Sequence, residues 1–253
     1  MATYLYCVLA PPKIDAFPTG LTGIAGAPVR TVVSRRDDGL EAWVATIDDA
    51  TMSPSGRALA EQALMHNDVV EAALATGRTP LPARFGSRFV DDMTCLARLN
   101  QHENQLSAAL SRVAGAVEMS VLLVPIGRSR EALTEPPQRD EPSAGRRYLE
   151  AVRERTRSNE RRRAAADNTC ARITSSVASI VRGETHNSGS SEIVSLAHLV
   201  DLRDLERYRH AVADVAPDGV FRIVVAGPRA PYSFAAEARA VAGHDSSSPS
   251  RNE

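Results

Sequence analysis

Hydrophobic positions along this chain switch between two spacings, and the switches outline its elements. Thr3–Ala10 is a short β-rich run stopped by Pro11-Pro12, which reads as a strand. A Gly/Pro-rich stretch follows, and then Val29–Ser34 and Leu40–Ile47 read as two further strands. Between them, Arg35-Arg36-Asp37-Asp38-Gly39 ends in an Asp-Gly pair, a hairpin signal. From Ser53 or Ser55 to Thr76 the period becomes helical, with Leu59, Ala63, Leu64, His66, Val70 and Leu74 recurring before Gly77. Pro80 and Pro82 keep Thr79–Phe85 extended. Asp91 or Asp92 caps a second helix, predicted as one piece to Ala114. Val117–Ile126 is the strongest apolar strand.

The second half opens with a polar loop or linker, Gly127–Pro142. Ala144–Val181 reads as one very long helix with apolar faces at both ends (Tyr148, Leu149, Val152; Ile173, Val177, Ile180). Its middle, Arg153–Arg163, is polar all round, so it projects into solvent or breaks into two helices. Ile193–Val200 reads as a strand, Leu202–Val215 as a helix and Val220–Ala226 as a buried strand that Gly227-Pro228 ends. The pattern predicts two α+β domains, each a sheet covered by helices on one face. The expected division is 1–115, 116–235 and a disordered tail over 236–253, Ser-rich from Gly243.

Composition narrows the chemistry. The 253 residues carry 30 basic and 31 acidic groups, so net charge gives no pull toward nucleic acid or a membrane surface. Lys13 is the only lysine among the 30 basic residues, a bias read as codon usage in a GC-rich genome or as repeated anion pairing through guanidinium forks. Cys7, Cys95 and Cys170 lie far apart, which fits reduced thiols of a cytoplasmic protein and neither a disulfide framework nor a metal set. Met1–Lys13 lacks a basic region followed by a long apolar one, so no signal peptide is expected, and no apolar run has membrane-spanning length.

Enzyme signatures are missing: there is no P-loop, HExxH, GxSxG or GxGxxG. The expectation is therefore a non-enzyme with no cofactor and no catalytic or metal residues. Gly23-Ile24-Ala25-Gly26 is a poor phosphate cradle, and His66 among apolar neighbours reads as a half-buried, hydrogen-bonded histidine. Residues 146–163 hold eight arginines and three glutamates, net +5. That basic stretch admits an RNA-binding reading. No aromatic residue lies between Leu149 and Arg163 to stack on bases, and Arg146–Glu150, Glu154–Arg157 and Glu160–Arg163 pair at helical spacing. An exposed charged arm used for contacts to other proteins or for interdomain salt bridges, with Arg153, Arg157 and Arg161 outward, is the reading preferred over nucleic acid.

Two segments look built for binding. Leu81-Pro82-Ala83-Arg84-Phe85-Gly86-Ser87-Arg88-Phe89 puts two aromatics and two arginines behind a rigid proline. Gly227-Pro228-Arg229-Ala230-Pro231-Tyr232-Ser233-Phe234 suits a docking segment. Arg84, Phe85, Phe89, Tyr232 and Phe234 are the candidate protein-binding residues.

These segments carry a resemblance. With Tyr4-Leu5-Tyr6, Gly23-Ile24 and Gly26, Gly39-Leu40-Glu41-Ala42, His66-Asn67-Asp68-Val69-Val70-Glu71, Gly145-Arg146-Arg147-Tyr148-Leu149 and Ala197-His198-Leu199-Val200, they recur in order as in the gas vesicle accessory family GvpF/GvpL. The chain resembles that family over about residues 3–235. The resemblance implies a cytoplasmic, gas vesicle associated assembly protein without enzymatic activity. Its implied partners are the hydrophobic shell protein and other accessory proteins, not nucleic acid or lipid membrane. It also implies a C-terminal modified ferredoxin-like domain with a long helical insert. One departure stands out: the family has an apolar residue and then proline where this chain has Arg229-Ala230, so Arg229 must point outward or find an acid.

Overall fold

Every residue of the first strand, β1 (Ala2–Leu9), is buried, which requires cover on both faces of its sheet. The computed structural model, which describes residues 1–11, 17–34, 39–52, 55–126, 144–187, 194–216 and 219–241, shows how this is met. β1 pairs antiparallel with β3 (Glu41–Ile47), and β3 pairs with β2 (Val29–Val33). The other edge of β1 holds two short strands, β4 (Leu81–Pro82) and β5 (Arg88–Phe89). Side chains alternate across such a sheet. On one face Tyr4, Tyr6, Trp43 and Ala45 pack with Ile24 and with Val69, Val70 and Ala73 of α1 (Gly56–Ala75). On the other, Thr3 and Arg30 bond Asp92, and Ser34 bonds Asn100, all on α2 (Asp92–Gln101). The expected cover on one face only is thus corrected for this sheet. The helix predicted from Asp91 or Asp92 to Ala114 is two helices, because His102 leaves helical geometry (φ −107°, ψ 12°) before α3 (Glu103–Val113).

The chain divides into two compact units. The first is Met1–Glu118 together with the segment from Pro228 onward, and the second is Met119–Gly227. The second follows the order β6 (Ala116–Pro125), α4 (Ala144–Val177), β7 (Val181–Asn187), β8 (Val194–Asp201), α5 (Leu205–Ala213), β9 (Phe221–Arg229). Its sheet order is β7-β8-β6-β9, the split βαβ arrangement of ferredoxin-like folds. Met119, Val121 and Leu123 of β6 meet Leu196 and Val200 of β8 under Ala166, Cys170, Ile173 and Val177 of α4 and Tyr208 and Val212 of α5.

Three further expectations change. β7 is a strand that the long-helix reading overlooked, an edge strand whose Arg182, Glu184 and His186 hide it from an apolar pattern. β9 runs on through Gly227 and Pro228 to Arg229 and is mostly not buried. As an edge strand it tolerates the missing proline N–H. The tail expected over 236–253 begins with a helix, α6 (Ala236–Val241), that buries Ala238 and Val241. The compact units part at 118/119 and 227/228, where the sequence reading placed 115/116 and 235/236, so Pro228–Phe234 goes with the first unit. α4 stays one helix, and residues 148–161 along it are exposed. The Gly127–Pro142 loop, the Arg35–Asp38 part of the hairpin turn, the Ser53 cap and the tail from Gly243 lie outside the described residues.

Candidate functional site

The Leu81–Phe89 segment rides on the outer edge of β1. Ala83 N–H donates to the Tyr6 carbonyl and Leu5 N–H to the Ser87 carbonyl, so the residues between them form a turn. Ser87 N–H closes it onto the Arg84 carbonyl at 3.1 Å, and Gly86, at φ +88°, supplies the left-handed residue. Arg84 sits exposed on this turn, with Arg88, Val90 and Met93 exposed after it. Val90 is 80 % and Met93 60 % exposed.

Behind the turn lies a buried aromatic cluster. The Tyr4 hydroxyl accepts from Gly86 N–H at 3.0 Å and sits 3.0 Å from His66 Nδ1. If that hydroxyl donates to Nδ1, the His66 proton resides on Nε2. Phe85 meets the His66 ring edge-on at 5.8 Å, and Tyr4 and Tyr6 also contact it. Burial lowers the His66 pKa to about 4, with the Ala83 backbone acting weakly the other way. The Tyr6 hydroxyl accepts from Ile24 N–H at 2.9 Å. A Cβ on Gly23 would stand 2.0 Å from that hydroxyl oxygen, so the Gly23-Ile24 motif is a close-approach point for Tyr6.

The Pro228–Phe234 segment is fastened by two acids. Glu118, fully buried on β6, accepts from Arg229 Nη2 (2.7 Å) and Nε (3.2 Å), from Ser233 N–H (2.7 Å) and from the Ser233 hydroxyl (3.1 Å). Glu71 of α1 accepts from Ala230 N–H at 3.0 Å. Arg229 thus finds an acid while its side chain stays 45 % exposed, so both outcomes left open by its departure from the family pattern are met in part. Tyr232 packs against the same core as Phe85, and its hydroxyl is buried without a hydrogen-bond partner among the described residues. Arg112 Nη2 holds the Phe234 carbonyl and Glu237.

The structure therefore brings Phe85 and Tyr232 to one cluster. Phe89 is set apart: it lies opposite Thr3 in the sheet register, on the α2 face, and is 9 % exposed. Phe234 is half-buried, and Arg153, Arg157 and Arg161 are exposed on α4. Sequence reasoning missed Glu118, whose one signal was an acid inside the most apolar strand.

It also missed a second buried network. In the second unit His198 Nδ1 lies 2.7 Å from the Tyr208 hydroxyl, and Nε2 lies 3.0 Å from Glu184. Glu184 further bonds Thr174 (2.8 Å) and His186 (2.7 Å). Desolvation lowers the His198 pKa and raises that of Tyr208. Burial likewise pushes the Cys95 thiol up to about 12 and raises Cys7, Cys170, Tyr4 and Tyr232. These groups are held neutral at pH 7, the wrong state for a thiolate or phenolate nucleophile. No group of three or more His, Cys, Asp or Glu among the described residues is placed to hold a metal ion. No helix among them is long and apolar enough to cross a membrane.

Two solved structures share this fold. The crystal structure of the gas vesicle protein GvpF from Anabaena sp. PCC7120 is 19 % identical with a TM-score of 0.67, covering 92 % of this chain and 95 % of that one. GvpF from Microcystis aeruginosa is 18 % identical with a TM-score of 0.66, covering 92 % and 98 %. Among curated proteins no sequence matches. The sequence profile named gas vesicle synthesis protein GvpL/GvpF matches residues 2–236. A match over nearly the whole chain, in a chain with this fold, establishes that the protein belongs to the GvpL/GvpF family and that its role lies in gas vesicle assembly.

Proposed function

We propose that this chain serves gas vesicle assembly as a non-catalytic capture factor for the hydrophobic shell protein. A wall that excludes water from a gas space needs an apolar inner face, and before assembly that face drives aggregation. The observation that carries the reading is the pair Val90 and Met93, left 80 % and 60 % exposed next to the Arg84 turn. The Tyr4–His66–Gly86 bonds hold that turn rigidly, so docking costs little ordering. Arg84 forms the contact with Val90 and Met93, while Phe85 and Phe89 anchor the segment from beneath and Tyr232 and Phe234 support it from the fastened segment. A contact of ~800 Å² per partner with a few aromatic and arginine anchors is the expected scale. Other accessory proteins bind elsewhere on the chain.

Pull-down of co-expressed shell protein tests this, using the full chain and the variants Arg84→Ala, Val90→Ser and Met93→Ser. Fluorescence of Trp43, the only tryptophan, checks that the first unit stays folded. The double variant Val90→Ser/Met93→Ser should lose most of the captured shell protein. Undiminished capture by folded Val90→Ser/Met93→Ser protein would move the contact off this surface, and no capture by the unaltered chain would end the reading.

A further inference from the structure

Helix α4 buries one seam over its C-terminal half, and the register of that seam can be followed toward the N-terminus. At its C-terminal end Ala166, Cys170, Ile173 and Val177 are buried in the core of the second unit, spaced four, three and four apart. Continued toward the N-terminus with the same alternation, the seam falls on Arg163, Asn159, Thr156, Val152 and Leu149. All five are exposed, Leu149 by 56 % and Val152 by 39 %, and Tyr148 beside them by 70 %. A three–four alternation is the spacing that coiled-coil partners read. The exposed stretch from 148 to 163 extends about 24 Å, a little over two heptads. It carries six arginines and three glutamates, net +3.

We propose that the N-terminal half of α4 is the docking face for an acidic amphipathic helix of a partner protein, laid along this seam as a short coiled coil. Leu149 and Val152 supply the apolar knobs. Asn159 and Arg163 occupy seam positions where a polar residue costs affinity and fixes register, so the partner answers Arg163 with a carboxylate. The charge argues for an acidic partner over a second copy of this chain, which would bring a second arm of net +3 against the first. A polar helical stretch without tertiary packing is only marginally stable, and a partner helix supplies the missing face. This inference concerns the second unit and does not depend on shell capture by the first.

The test uses the full chain and four probes. These are a synthetic peptide of about four heptads with Leu at the seam and Glu flanking it, the same peptide with Lys for Glu, poly(U) RNA, and phosphatidylglycerol vesicles. Binding is read by fluorescence anisotropy, or by co-sedimentation for vesicles, at ~50 and ~200 mM salt. The acidic peptide should bind and the Lys peptide should not. Leu149→Ser/Val152→Ser should weaken the acidic peptide at least tenfold, and Arg163→Gln should weaken it further, with circular dichroism showing α4 retained. Four results overturn the proposal: no binding of the acidic peptide, binding indifferent to Leu149→Ser/Val152→Ser, tighter binding of RNA or vesicles, or a dimer of the chain alone that Leu149→Ser abolishes.

Discussion

Gly23→Ala is the sharpest perturbation the first unit offers, because its effect comes from a single contact. Gly23 has φ −118° and ψ −142°, with no positive φ, so alanine meets no left-handed strain there. What it meets is Tyr6. The new Cβ would lie 2.0 Å from the hydroxyl oxygen and 2.6 Å from Cζ. Tyr6 cannot yield freely, since it is fully buried on the strand that pairs on both edges. Moving the ring also strains the bond from Ile24 N–H. Overpacking costs about 1–3 kcal/mol, and a buried N–H left without its acceptor costs about 1–3 more. The expected loss is about 2–5 kcal/mol. Urea unfolding read by Trp43 fluorescence reports this unit, because Trp43 lies in its core. With a slope of about 2 kcal/mol per molar, a 3 kcal/mol loss lowers the midpoint by about 1.5 M. Gly26→Ala is the control: its φ is +71° with nothing within 4 Å of the new Cβ, so only the left-handed cost of about 1–2 kcal/mol applies. Adding Tyr6→Phe removes the nearest of the clashing atoms and relieves part of the overlap, leaving the ring carbon at 2.6 Å. The double variant should therefore be more stable than the sum of the two single losses. Strict additivity, or a Gly23→Ala midpoint within error of the unaltered chain, would refute the close-approach argument.

Three further outcomes are expected. Glu118→Gln should cost about 2–4 kcal/mol and expose residues 229–234 to proteases and hydrogen exchange, because Arg229 and Ser233 lose a buried charged acceptor; unchanged protection there would count against the clamp. His66 is held neutral in the fold at a pKa of about 4 against its ordinary 6.5, so the unfolded chain takes up the proton first. Its contribution is complete above pH 6.5 and is lost as pH falls toward 4, up to about 3 kcal/mol, and the Trp43-read stability of His66→Gln should fall less over that window. Cys7, Cys95 and Cys170 are buried with raised pKa values, so Ellman's reagent should find no fast-reacting thiol until the chain unfolds.

Burial on both faces wrote β1, β3 and β6 plainly into the sequence, since such strands read as apolar runs. β7 was hidden for the opposite reason, because an edge strand carries polar residues without penalty and Arg182, Glu184 and His186 erase the signal. The break at His102 carries no glycine or proline to announce it. Proline chemistry misled at Pro228, where the rule against strand prolines yields at an edge. At the candidate site, the aromatic and arginine pattern of Leu81–Phe89 marked the segment from local spacing alone. The Glu118–Arg229 clamp joins residues 111 positions apart, and no local pattern encodes such a pairing. What local reading could do was state the alternatives, that Arg229 points outward or finds an acid, without saying which acid. The family likeness came from the order of motifs and not from any one element.

The return of Pro228 to the first unit has a consequence in time. The second unit, Met119–Gly227, is an insertion within the first, so the ribosome must make all of it before residues 228–241 exist. At about 5–20 residues per second, the roughly 110 intervening residues take about 5–20 s. During that interval the nascent first unit has Glu118 and Glu71 in place but neither Arg229 and Ser233 nor the Ala230 N–H to meet them. The surface that Ala230 and Tyr232 will cover stays open to water until residues 228–241 arrive. Completion of the first unit's fold is thereby tied to synthesis of residues 228–241, and a message cut short before codon 228 yields a chain that cannot close it.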